Sequence, residues 1–111
     1  MVDSVSQDLE KYMDLVSTRQ KLVASNIANV DTPGYRTQDI DFQTEFQHLT
    51  AGEQAEVVEV PDLKIKNDGN DVSIDRESRL LAENALRFRL ASALLKDKFS
   101  LIKQAIQGDK S

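Results

Sequence analysis

Apolar side chains recur every seven residues near both ends of this chain. A spacing of seven places side chains in one stripe along an α-helix, as in a coiled coil. The chain is therefore predicted to be mainly all-α, with two long helices that pair along these stripes. The N-terminal stripe consists of Leu9, Val16, Val23 and Val30, with Ile27 on the same side. The C-terminal stripe consists of Leu81, Phe88, Leu95 and Ile102, with Phe99 and Ile106 beside it.

The C-terminal helix is expected to extend over about residues 73–107. Ser73 or Asp75 can act as its N-cap, since either side chain can accept a hydrogen bond from a first-turn amide. Gly108 can end it.

A second apolar stripe lies on roughly the opposite half of this helix. It consists of Leu80, Leu86, Leu90, Leu94 and Leu101. One partner helix cannot cover both stripes, and apolar stripes of this length are costly to leave in water. Two interpretations stay open: docking onto other subunits, or a closed antiparallel hairpin or small dimer that buries the second stripe itself.

The N-terminal helix is expected to extend over about residues 4–29 and to stop before a sharp turn. Pro33 presets the backbone at the second position of a turn and Gly34 accepts a positive φ at the third, which favours type II geometry. Thr32, the residue before proline, is pushed out of the helical region. Arg19-Gln20 interrupts the apolar stripe and is expected to lie at a partly exposed position rather than to set register.

The segment between the helices is short, acidic and heterogeneous. A short helix is expected from the spacing of Phe42, Phe46 and Leu49. Two short strands or an extended arm are expected from the alternation of Val58, Val60, Leu63 and Ile65. The polar run 67–71 predicts a loop. The chain is thus expected to form one unit, with an N-terminal helix in 1–30, a turn and arm in 31–72, and a C-terminal helix in 73–108.

Charge is distributed unevenly along the chain. The net charge of −5 disfavours binding to nucleic acids and anionic membranes, because both attract basic surfaces. Residues 36–75 carry a net charge of −7 and residues 76–111 a net charge of +4, and segments of opposite sign can attract within a molecule or between copies.

The N-terminus has neither the basic nor the apolar region of a secretory signal peptide, and no apolar run is long enough to span a membrane. Neither Sec-dependent secretion nor membrane insertion is expected.

Few residues offer chemistry. The chain has no cysteine, and its single histidine, His48, is expected to be an ordinary surface or half-buried residue. Asp39 and Asp41 are interpreted as solvated acids of a surface loop. The run 67–71 fails the spacing of a calcium loop, because two lysines would fall at ligand positions. No enzymatic activity, metal, cofactor, nucleic acid or small-molecule substrate is therefore expected.

Two stretches of the chain resemble one protein family. The first contains the signature residues Asn26, Asn29, Asp31, Thr32, Pro33, Gly34 and Tyr35, and is followed by Asp39-Ile40-Asp41-Phe42. The second runs from Asp68 to Asp75 and continues into Leu81-Ala82-Glu83-Asn84 and Lys98-Phe99. In this order they are similar to the flagellar axial family of rod, hook and hook-associated proteins, and most similar to its proximal rod subunits. Arg76 departs from the family pattern, which often has an acidic residue there.

The resemblance implies a structural protein of the flagellar basal-body rod that polymerises helically with sister rod proteins. Its terminal helices would pair as an inner layer around the export channel. The implied partners are other rod proteins, the adaptor at the rod base, the MS ring or export gate, and the flagellar type III export apparatus, which delivers such proteins without a cleavable signal peptide.

The expected assembly interface contains ten of the apolar residues of the two stripes, namely Leu9, Val16, Val23, Ile27, Leu81, Phe88, Leu95, Phe99, Ile102 and Ile106. The signature turn over residues 26–35 is expected to place the arm against neighbouring subunits. The alternative is a cytoplasmic coiled-coil adaptor or export chaperone that binds partner helices through the same stripes.

Overall fold

The computed structural model describes residues 4–48 and 54–108, and most of them are helical. The elements in chain order are α1 (Ser4–Ala28), β1 (Gln38–Asp39), α2 (Phe42–His48), β2 (Val58–Glu59) and α3 (Ile74–Gly108). The predicted fold class is confirmed: two long terminal helices flank a short irregular segment with little β-structure. Leu49, expected in the short middle helix, lies outside the described residues. Within the described ranges, no helix combines the length and apolarity needed to cross a membrane.

α1 and α3 form an antiparallel hairpin. Asn26 near the end of α1 donates a hydrogen bond to Glu77 near the start of α3 (2.9 Å), whereas Tyr12 in the first half of α1 accepts one from Arg87 (3.4 Å). The described chain measures 70 × 24 × 17 Å. At 1.5 Å per residue α3 is about 15 Å longer than α1, and every residue in 99–108 is exposed.

The N-terminal apolar stripe packs against α3 as predicted. Val16 and Val23 are each 1% exposed, while Leu9 and Ile27 are half-buried. Arg19 and Gln20 are also half-buried, and both hold the hairpin together. The Gln20 side chain accepts a hydrogen bond from Asn84 of α3 (3.0 Å), and Arg19 forms an ion pair described below.

The two long helices pair as predicted, but the C-terminal stripe does not face α1 directly. A neighbouring side of α3 faces α1 instead. The buried positions of α3 are Glu77, Leu80, Asn84 and Ala91. The residues of the predicted stripe lie at the side of this seam: Leu81, Phe88 and Ile102 are 42%, 41% and 38% exposed, and Leu95 is half-buried. This side of α3 differs from the predicted one because two of its inward-facing positions are occupied by polar residues that bond to partners inside the hairpin. A search for apolar periodicity does not detect such positions.

The helix ends agree closely with the local signals. Ser73 caps α3, since its hydroxyl accepts a hydrogen bond from the Arg76 N–H (3.3 Å). α3 continues to Gly108, one residue further than expected, and α1 ends at Ala28, one residue earlier.

The sheet consists of two residues from each of two strands. β1 and β2 are antiparallel, with Gln38 opposite Glu59 and Asp39 opposite Val58. The Val60 N–H extends the pairing by donating to the Thr37 carbonyl (2.9 Å). Of the stretch expected to form strands, only β2 does so. Its partner β1 lies in an acidic segment without apolar alternation, so no local sequence pattern predicts this strand.

Candidate assembly interface

The signature turn and the polar loop over residues 67–71 form one hydrogen-bonded unit. Gly34 has a φ of 76° and the Tyr35 N–H donates to the Thr32 carbonyl (3.2 Å), which agrees with the predicted type II turn. The Gly34 N–H donates to the Asp68 carbonyl (2.9 Å). Gly69, with a φ of 86°, lies so close that an added Cβ would be 3.4 Å from the Gly34 Cα. The two glycines therefore allow the two loops to approach backbone to backbone.

Asn70 fastens the signature turn to this loop. Its side chain is fully buried, and its Nδ2 donates to the carbonyl oxygens of Asn29 and Thr32, each at 2.8 Å. Asp31 and Pro33, in the same turn, are exposed. The turn is thus anchored on one side and open to solvent on the other.

Asn26 joins three parts of the molecule. Its fully buried side chain donates from Nδ2 to the Gln38 carbonyl (2.8 Å) and to Glu77 Oε1 (2.9 Å). Its Oδ1 accepts from the Gln38 N–H (3.1 Å) and from the Tyr35 hydroxyl (2.9 Å). All four hydrogen bonds that an asparagine side chain can make are formed. Asn26 therefore fixes the end of α1 to β1, to the signature turn and to the start of α3.

Asp39 is the centre of an ion-pair cluster, and the interpretation of this residue as a solvated acid is wrong. Its side chain is 8% exposed. Arg19 donates to both carboxylate oxygens (3.0 Å each), and Arg76 donates to Oδ2 (2.6 Å). Burial by itself raises the pKa of Asp39, but the hydrogen bonds from Arg19, the Ile40 N–H and Arg76 together outweigh burial and lower the pKa below its ordinary value of 3.8.

Glu77 is the second acid of this cluster and is fully buried. Its Oε1 accepts from Asn26 Nδ2 and from Arg76 Nη1, each at 2.9 Å. Its Oε2 has no hydrogen-bond partner among the described residues. Burial raises the pKa of Glu77 above its ordinary value of 4.5, and Arg76 offsets only part of this effect. Arg76, which departs from the pattern that the resemblance suggested, is thus the residue that bridges the two buried acids.

Thr37 and Asp71 add a further buried contact next to this cluster. Asp71 Oδ1 accepts from the Thr37 N–H (2.6 Å) and from the Thr37 hydroxyl (2.9 Å). Sequence reasoning missed this pair, because Asp71 was interpreted only as part of a polar loop and Thr37 carried no local signal. The two residues are 34 positions apart in the chain, so only the fold brings them together.

Asp41, in contrast, is exposed as predicted. Its carboxylate caps α2 by accepting from the Thr44 N–H (3.3 Å). His48 is also exposed and bonds within α2 to the Thr44 carbonyl (3.0 Å), in agreement with an ordinary surface histidine.

α2 packs on α1 through aromatic rings. Tyr12 meets Phe42 and Phe46 edge to face, with ring centroids 5.3 and 5.8 Å apart. The Arg87 guanidinium lies 5.6 Å from the centre of the Phe42 ring and also bonds Glu83 (2.6 Å). The Arg87 side chain therefore binds to groups of its own chain.

Both apolar stripes of α3 remain partly exposed, one on each side of the seam. On the side of the predicted repeat, Phe99 is 43% and Ile106 is 55% exposed. On the other side Leu80 is buried, but the rest of the second stripe is 55–66% exposed, namely Leu86, Leu90, Leu94 and Leu101. The hairpin is closed, but it does not bury the second stripe, so that part of the closed-hairpin interpretation is wrong.

The described residues contain no group of three or more histidine, cysteine, aspartate or glutamate side chains arranged to hold a metal ion. The arrangement found instead is a hydrogen-bonded polar cluster at one end of the hairpin and exposed apolar stripes along α3. Such an arrangement suits binding to other protein surfaces.

Comparison with known proteins points in the same direction. A sequence model of the family described as "Flagella basal body rod protein" matches residues 13–36, which include the second half of α1 and the signature turn. Flagellar basal body rod protein FlgB of Cereibacter sphaeroides is 36% identical over 86% of this chain and 88% of its own length. The proteins of the same name from Salmonella typhimurium and Bacillus subtilis are 28% and 26% identical, over 96% and 94% of this chain and the same shares of their own lengths.

Proposed function

The chain belongs to the FlgB family of flagellar basal body rod proteins, and on this premise we propose that it polymerises in the proximal rod through the exposed faces of its terminal helices. The coarser role follows from the family: the protein is a structural component of the flagellar basal body rod. The finer role concerns how it assembles and with which neighbours.

The observation that carries the proposal is the exposure of apolar side chains along α3. Full burial of a leucine or phenylalanine side chain contributes about 1.5–3 kcal/mol. Leu90, Leu94 and Leu101 are each more than half exposed, so a neighbouring subunit that covers them gains on the order of 1 kcal/mol from each. Because several such residues lie along a helix of 35 residues, packing of this helix against other subunits is strongly favoured.

The partners follow from the same role. We propose that the neighbours are other rod proteins, with the rod-base adaptor and the MS ring or export gate at the lower end. Delivery by the flagellar type III export apparatus is part of this proposal. The exposed outer side of the signature turn, at Asp31 and Pro33, is available to contact a neighbouring subunit.

Substitutions on the C-terminal seven-residue stripe and the neighbouring Ile106 test the proposal. Phe88→Asp, Leu95→Asp and Ile106→Asp each place a charge where apolar packing is expected, so we expect loss of the chain from purified basal bodies and loss of motility. Ala82→Asp is the matched control, because Ala82 is exposed and belongs to neither stripe. Normal motility with all three stripe variants would contradict the packing role.

Cell fractionation separates this function from the alternative of a cytoplasmic adaptor or export chaperone. A rod subunit is recovered with basal bodies, whereas a chaperone stays in the soluble fraction bound to its client.

A further inference from the structure

A groove with a basic rim lies between α1 and α3 on the side of the predicted repeat. Its volume is about 640 Å³, and its apolar floor includes Val16 and Phe88. Arg89 and Lys96 lie at its rim, and no acidic residue lines it. Lys103 continues the same line seven residues further on, and all three cations are exposed. None of the three forms an ion pair with a described residue, in contrast to Arg76 and Arg87.

The arm over residues 56–62 has the complementary character. Its acidic side chains, Glu56, Glu59 and Asp62, are exposed and form no ion pair within the described ranges. Two of its three valines are exposed as well, since Val57 is 46% and Val58 is 42% accessible, whereas Val60 is half-buried. The arm thus presents acids and valines together, and the groove presents bases and an apolar floor.

The arm cannot reach the groove of its own chain. It is tied to other parts of that chain: Val58 pairs with Asp39, the Val60 N–H donates to the Thr37 carbonyl, and the Glu56 N–H donates to Glu45 of α2 (3.2 Å). Asp39 in turn is ion-paired to Arg76 near the start of α3. Arg89, in contrast, lies about 22 Å along α3 from the first residue of that helix. Both surfaces are therefore left open in a single chain.

We infer that the groove between α1 and α3 binds the acidic arm, residues 56–62, of a second copy of this chain. Glu56 and Glu59 would face Arg89 and Lys96, and the valines would cover the exposed ring of Phe88. The contact joins two different surfaces, so each copy in a non-reciprocal arrangement keeps one free arm or one free groove for the next copy, and a row of copies forms. The inference rests on the proposed assembly role and names the contact that sets the spacing of neighbours.

Cysteine cross-linking in assembled basal bodies tests this contact directly, since the chain has no cysteine of its own. A chain that carries Val57→Cys and Ser92→Cys, with residue 92 in the groove, is expected to give a ladder of disulfide-linked multimers after mild oxidation. Val57→Cys with Ala82→Cys, which lies outside the groove, is the matched control and should give none.

Charge reversal gives an independent measurement. Arg89→Glu with Lys96→Glu should lower the amount of chain recovered with basal bodies about tenfold, because two attractive contacts become repulsive. Adding Glu56→Lys and Glu59→Lys should restore it. Arg79→Glu, on an exposed residue outside the groove, is the control.

The outcomes distinguish this inference from the assembly role itself. A ladder together with rescue by the reversed arm supports the contact. Absence of the ladder from basal bodies that contain the chain, or reversal at Arg89 and Lys96 no worse than at Arg79, overturns the inference and leaves the assembly role standing. A wild-type chain missing from basal bodies would overturn both.

Discussion

The two ends of the hairpin reverse the usual distribution of polar and apolar residues. At the closed end, where α1 ends and α3 begins, the polar side chains of Asn26, Asp39 and Glu77 belong to residues that are at most 6% exposed. At the open end, residues 99–108 of α3, the apolar residues Leu101 and Ile106 are 66% and 55% exposed.

The difference shows that the closed end is stabilised by contacts within the chain, whereas the open end is not. Buried polar groups are tolerated at the closed end because nearly all of them have hydrogen-bond partners within the chain. The open end has apolar surface and nothing within the described chain to cover it. We therefore expect substitutions at the closed end to lower the stability of the single chain, and substitutions at the open end to affect assembly alone.

The largest effect on stability is expected from Asp39→Asn. The change removes the charge that two half-buried guanidinium groups share, and breaking such a pair typically costs 3–5 kcal/mol, so we expect a loss of about 3 kcal/mol in the free energy of unfolding. Urea unfolding followed by circular dichroism measures it. Asp41→Asn is the control and should change little, because asparagine also caps helices well. Equal effects of the two variants would show that the cluster does not stabilise the closed end.

Asn26→Ala should have the next largest effect. It removes four hydrogen bonds and leaves the Gln38 backbone N–H and carbonyl without their Asn26 partner, while the Tyr35 hydroxyl keeps only its contact with Ser25 (3.3 Å). The change should cost about 2 kcal/mol. Asn67→Ala, at an exposed position in the polar loop, should have almost no effect. The same unfolding experiment compares them, and a loss below that of Asn67→Ala would contradict the role of Asn26 as the junction.

A smaller effect should appear in the pH dependence of stability. The pKa of Glu77 is raised in the folded chain, so its ionised form destabilises the fold at neutral pH, and this penalty disappears as pH falls through the raised pKa towards 4.5. Relative to Glu77→Gln, the wild-type chain should therefore gain stability on going from pH 7 towards pH 4.5. Unfolding curves at several pH values test this, and a constant difference between the two chains would contradict it.

Asp39 acts in the opposite direction and at lower pH. Its pKa is lowered, so its contribution is fully present above its ordinary value of 3.8 and is lost as pH falls through the lowered pKa. The two acids of one cluster can thus be separated by the pH window in which each contributes.

The smallest effect on the single chain is expected at the open end. Ile106→Asp replaces a side chain that is 55% exposed, so the free energy of unfolding should change by less than about 0.5 kcal/mol. Its effect on assembly should nevertheless be complete. A loss of monomer stability as large as that of Asn26→Ala would show that the open end is covered within the chain.

Local features of the sequence were predicted well. The ends of α1 and α3 were placed within one residue, because a capping serine and a proline-glycine turn act on the backbone next to them. The type II turn followed from Pro33 and Gly34 for the same reason. The short strand β1 and the burial of Asp39 could not be predicted in this way, since each depends on a partner far along the chain.

The repeat of seven in the sequence determined that the chain forms two long helices with apolar stripes. Tertiary structure alone decided which stripe faces inward, and it placed Glu77 and Asn84 in the seam instead of Phe88 and Leu95. The physical reason is that a buried polar side chain is stable only beside its partner, and Asn26 and Gln20 supply those partners from 51 and 64 residues away. Periodicity records how apolar a position is, and it does not record which distant side chain will bond to it.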